Sequence, residues 1–79
     1  MRLDKYLKVS RIIKRRSVAN EACDSERVAV NGKAARASYE VKVGDVIECR
    51  FGARVFKAEV LSVREFAAKD EAALMYREL

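Results

Sequence analysis

The sequence predicts an α+β domain with two short amphipathic helices, a small antiparallel sheet and a closing helix. Three observations carry that prediction. Apolar residues near the start recur at helical spacing, the middle alternates β-branched runs with glycine-marked turns, and the last stretch is rich in helix formers.

Leu3, Tyr6, Leu7 and Ser10 stand at i, i+3, i+4 and i+7, a narrow stripe along one helix face, with Lys5 and Lys8 opposite. The stripe is expected in the core. Asp4 falls in the first turn, where the helix dipole favours an acid and where it can orient a neighbouring arginine. Ser17 is the expected cap of a second helix, with Val18, Ala19, Ala22 and Cys23 on its apolar arc and Asn20, Glu21, Asp24 and Ser25 on the other. Asn20 stands where a full capping box has Glu or Gln.

Val28–Val30 reads as a strand entering Asn31-Gly32, a dipeptide that adopts positive φ cheaply and so marks a tight turn. Tyr39, ahead of the next strand, suits either half-buried packing or stacking on a base. Gly44-Asp45 makes a second turn into a strand over Val46–Phe51. Gly52-Ala53 then reverses the chain into a strand over 54–63, with Phe56, Ala58 and Val60 on its inner face, so residues 46–63 form the longest hairpin. The tail predicts a helix over about 69–78, with Asp70 and Glu71 early, Arg77 late, and Ala72, Met75, Tyr76 and Leu79 as its stripe. That helix either docks back on the domain or offers a surface to a partner.

Seventy-nine residues make one small domain, 1–79, and 51% hydrophobic with 37% charged residues suits a globular protein. The charge is unevenly placed. Of a net +5, residues 2–16 hold +6, because seven cations (Arg2, Lys5, Lys8, Arg11, Lys14, Arg15 and Arg16) face the single acid Asp4, and the rest of the chain sums to −1. A localised basic patch is the electrostatic footprint of a polyanion partner. Lys14, Arg15 and Arg16 also directly precede a helix start, where free backbone N–H groups add to the pull on phosphate. Lys33 and Arg36 extend the basic surface only at its periphery.

Cys23 and Cys49 belong to no C-x-x-C pair, and the chain has no histidine to complete a ligand set, so they read as small buried apolar residues with no metal or disulfide expected. The absence of histidine and of any paired nucleophile and base argues against self-contained catalysis, so no enzyme and no cofactor are expected. No apolar run approaches a membrane span and no secretory signal opens the chain, which reads as cytoplasmic.

Arg2-Leu3-Asp4-Lys5-Tyr6-Leu7, Lys14-Arg15-Arg16-Ser17-Val18-Ala19, Val28-Ala29-Val30-Asn31-Gly32-Lys33 and Val43-Gly44-Asp45-Val46-Ile47 resemble, in order and spacing, the S4-type RNA-binding domain. These four blocks lie within residues 1–50. The resemblance implies a helix-turn-helix pair packed on a small, bent β-sheet, with a basic helical face for structured RNA. With Phe51-Gly52 and Glu71-Ala72-Ala73 through Met75-Tyr76 added, nearly the whole chain resembles the stand-alone S4 proteins of ribosome-associated quality control, the RqcP family, whose relatives include heat-shock S4-domain proteins.

That closer resemblance implies binding to a large ribosomal subunit obstructed by peptidyl-tRNA. The expected partners are the subunit's rRNA, the P-site peptidyl-tRNA and an RqcH (NEMF-family) factor, and the outcome is C-terminal alanine tailing of the stalled chain. A monomer off the ribosome and no membrane partner are expected. By motif position, Arg2 and Arg16 would be the principal RNA contacts, supported by Asp4, Lys5, Lys14 and Arg15, with Lys8 on the same face and Arg11, Lys33 and Arg36 peripheral. Many S4-type domains carry glycine where this chain has Glu26, which at positive φ would cost on the order of 1 kcal/mol. Two alternatives stay open: a heat-shock-type protein that binds blocked subunits without tailing, and a basic protein-interaction module.

Overall fold

A computed structural model describes residues 1–79. Two helices open the chain, α1 (Leu3–Val9) and α2 (Arg16–Asp24). Then come β1 (Val28–Val30), β2 (Lys33–Ala34), β3 (Val46–Phe51), β4 (Arg54–Val60), the single turn α3 (Lys69–Ala72) and β5 (Tyr76–Glu78). The strands form one antiparallel sheet in the order β2-β1-β3-β4-β5. The α+β expectation therefore holds, and the sheet gains a strand at its far edge.

The stripe on α1 is the centre of the core. Leu3, Tyr6 and Leu7 are all fully buried and Ser10 is nearly so, closing against Ala19, Ala22 and Cys23 of α2 and against Val28, Val30, Ile47, Cys49 and Val60 of the sheet. Val18, placed by its spacing on the apolar arc of α2, is instead half exposed. Both cysteines are free and buried, and burial raises their thiols to about 12 at Cys23 and about 11 at Cys49. They pack as small apolar groups.

The turns follow local chemistry. Asn31 (φ 53°) and Gly32 (φ 85°) both take positive φ between paired Val30 and Lys33, the two-residue geometry that suits the right-handed twist of a hairpin. Asn31 does a second job, donating from Nδ2 to Asp45 Oδ1 (3.0 Å) and accepting the Val46 N–H at Oδ1 (2.9 Å). Asp45 Oδ2 also accepts the Tyr39 hydroxyl (2.9 Å) and the Lys42 N–H (2.9 Å). Tyr39 is thus a partly buried packing residue tied to a turn, the first of its two readings.

Three further sequence expectations need correction. Helix α2 begins at Arg16 behind an extended Arg15, and no side chain caps it, so Ser17 lies inside the first turn where its hydroxyl cannot serve as the cap. The long strand ends at Val60, because the chain then turns over Met75, whose carbonyl accepts the N–H groups of Leu61 (2.8 Å) and Ser62 (3.1 Å).

The closing helix is the largest departure. Helix α3 stops at Ala72, and Tyr76–Glu78 pairs with Ala58, Glu59 and Val60 as β5. Helix propensity is a weak prior, and the open edge of β4 offers backbone partners that outweigh it. The tail does dock back: Ala72 and Met75 are buried, and the buried Tyr6 hydroxyl donates to the Met75 carbonyl (2.8 Å). Tyr76 packs edge-on against Phe56 with centroids 5.9 Å apart, while Leu79 is exposed.

Candidate nucleic-acid interface

The candidate interface is built outward from one buried carboxylate. Asp4 is 2% exposed, although it lies beside the most basic stretch of the chain. Its Oδ1 accepts the Lys5 N–H (2.8 Å) and the Arg2 Nε–H (3.1 Å); its Oδ2 accepts Asn20 Nδ2 (3.1 Å) and pairs with Arg2 Nη2 (3.4 Å) and Arg16 Nε (3.4 Å). Burial pushes the Asp4 carboxyl up, but the hydrogen bonds from Arg2, Asn20, Arg16 and the Lys5 backbone outweigh it and hold the group below its ordinary value. It is ionised at neutral pH.

Local sequence explains the arrangement. Arg2 precedes α1 in an extended conformation and Asp4 is two residues on, so the guanidinium folds back over the first turn. Arg16 and Asn20 stand one turn apart on α2 and both reach Asp4 from the second helix. The side chains of Arg2 and Arg16 remain about half exposed, at 49% and 47%. Their planes are fixed at one edge and open to solvent, which suits bidentate contact with phosphate.

Beside this pair lies an open groove of ≈ 780 Å³ between α1 and the segment 65–69. Lys5, Lys8, Arg11, Lys14 and Arg16 line it from the helical side, and Glu65, Phe66 and Lys69 line it from the tail. Lys5 is steadied by Glu65 at 2.5 Å, and this hydrogen bond, with the Lys5 charge, lowers the glutamate below its ordinary value. The uncapped first turn of α2 adds backbone donors at Arg16's end.

The structure therefore brings five of the expected cations to one groove and joins Arg2 to them through Asp4. Arg11, expected at the periphery, sits in the groove at positive φ (64°), in the position after a helix where glycine is usual. Arg15 is exposed but outside the groove lining. Lys33 and Arg36 line a separate depression with Asn31, Ser38 and Tyr39. Asp4 supports the arginines from below and is itself withdrawn from solvent. Sequence reasoning missed Phe66 and Lys69, because nothing local links residues 65–69 to α1.

A helix pair on a small antiparallel sheet, with a basic face anchored on a buried acid, defines an S4-type RNA-binding module, and residues 1–47 match the S4 domain family. The chain is 53% identical over 76 residues to the RQC P-site tRNA stabilizing factor of Streptococcus pneumoniae, covering 96% of this chain and 86% of that protein. It is 49% identical over 76 residues to the protein of that name from Bacillus subtilis, covering 96% and 88%. Among solved structures, the trimeric structure of Vibrio cholerae heat shock protein 15 is similar, with a TM-score of 0.92 and 31% identity over all of this chain and 81% of that one. The chain belongs to the S4-domain family and, within it, to the RQC P-site tRNA stabilizing factors.

Proposed function

We propose that this chain holds the P-site tRNA of an obstructed large ribosomal subunit in ribosome-associated quality control, contacting rRNA with the same basic face. The observation that carries the reading is the pair Arg2 and Arg16, fixed on buried Asp4 beside a cationic groove, in a chain about half identical to factors named for stabilising that tRNA. Guanidinium and ammonium groups in this arrangement bind the phosphate backbone and RNA shape and carry no base-specific readout. Holding RNA, with no bond made or broken, is the role we assign. Lys5, Lys8, Arg11, Lys14 and Arg15 supply the surrounding charge, and Lys33 and Arg36 a more distant contact.

In this reading the protein acts in the cytoplasm as a monomer off the ribosome, together with an RqcH-type (NEMF-family) factor, while alanines are added to the stalled chain. No helix is long and apolar enough to cross a membrane. Sequence identity favours this role over the heat-shock type, at 53% against 31%. Deleting the gene and probing a stalled reporter for C-terminal alanine tails tests it. Loss of tails, restored by wild type but not by the Arg2→Ala/Arg16→Ala variant, is expected; tails unchanged by the deletion would leave the heat-shock-type role.

A further inference from the structure

Phe66 is the most exposed of the large apolar side chains, at 84%, and of the eight that are exposed it alone lines the basic groove. Single exposed apolar residues are ordinary on a mobile loop. Here the flanking backbone is anchored. Glu65 on one side accepts from Lys5 Nζ, Ala67 on the other is buried in the core, and the Ala68 N–H donates to Glu71 Oε1 (3.0 Å), which fixes the start of α3. The backbone at Phe66 is thus anchored through its neighbours, and its exposed ring borders the groove that Lys5, Lys8, Arg11 and Arg16 line from the helical side.

An exposed phenyl face beside several cations is the composition of a site for an unpaired nucleotide, where the base stacks on the ring and the flanking phosphates meet the charges. Paired bases have no free face to offer. We infer that the groove takes one unstacked RNA nucleotide, its base lying on Phe66 and its phosphates on the α1 cations, an inference that rests on the RNA-binding reading above. The ring has no donor or acceptor, so the stacking itself does not distinguish one base from another.

The test uses the full chain and two RNA duplexes, one perfect and one with a single bulged nucleotide, titrated by fluorescence anisotropy against wild type, Phe66→Ala and Phe66→Trp. Wild type is expected to prefer the bulged duplex. Phe66→Ala is expected to lose that preference, with affinity for the bulged RNA falling roughly 5- to 150-fold while the perfect duplex and the salt dependence are unaffected. The sequence has no tryptophan, so Phe66→Trp introduces a single reporter; it is expected to keep the preference and to lose emission when the bulged RNA saturates it. Equal affinities of wild type and Phe66→Ala for the bulged RNA, or unchanged tryptophan emission at saturation, would overturn the stacking site alone. Failure of wild type to bind either duplex would overturn the RNA-binding reading and this inference with it.

Discussion

Asp4 sets the residue-scale logic of the basic face, since removing it deletes a negative charge yet unfastens both Arg2 and Arg16. Charge counting alone predicts tighter RNA binding by Asp4→Asn. The geometry predicts the reverse: with Arg2 and Arg16 no longer held, each phosphate contact must order a free side chain, and affinity should fall several-fold in a titration with structured RNA. Because the folded Asp4 carboxyl lies below its ordinary value of 3.8, the unfolded chain binds the proton more strongly. The stabilisation is therefore full above that value and is lost as pH falls through the folded value. Urea unfolding of wild type and Asp4→Asn should show a stability difference at pH 7 that narrows below pH about 4. Leu7, fully buried beneath this site, acts on stability instead, and Leu7→Ala should cost about 2 to 5 kcal/mol.

At the scale of elements, both helix ends carry a bulky residue at positive φ, Arg11 (φ 64°) after α1 and Glu26 (φ 65°) after α2. The conformational cost is the same, on the order of 1 kcal/mol at each. Their positions differ: Arg11 lines the basic groove, while Glu26 borders a depression shared with Cys23, Ala34 and Arg36. Glu26→Gly should stabilise the fold by about 1 kcal/mol without weakening RNA binding, and Arg11→Gly should stabilise it while lowering RNA affinity. Thermal melts paired with binding titrations separate the two outcomes. The Glu26 conformation was legible because a whole motif framed it. Arg11 was not, since no glycine or asparagine marks the site and only the backbone shows the strained turn. The tail departs from its helical composition for a related reason. Lys69 to Leu79 has the composition of a helix, and the strand it forms from Tyr76 depends on the free edge of the β3–β4 hairpin, which nothing within the tail itself encodes.

For the molecule as a whole, the legible part of the interface is the part encoded in one contiguous stretch. Lys5, Lys8, Lys14 and Arg16 line one groove because helical spacing and one short turn put them there, and Arg2 joins Arg16 through Asp4. The other wall, Glu65, Phe66 and Lys69, returns to α1 only after the chain has crossed four strands, and its placement follows from Met75 seating under Tyr6. Residues 2–16 thus supply the charge, and the sheet and tail hold it in one shape. Sedimentation of tagged protein in cell lysate, wild type beside Arg2→Ala/Arg16→Ala, tests the central claim most directly. Wild type is expected to travel with large subunits carrying tRNA, and the double variant, still folded but with a lowered melting temperature because buried Asp4 loses two partners, to stay near the top of the gradient. A wild type that remains at the top at low salt, or a folded double variant that still travels with the subunits, would contradict it.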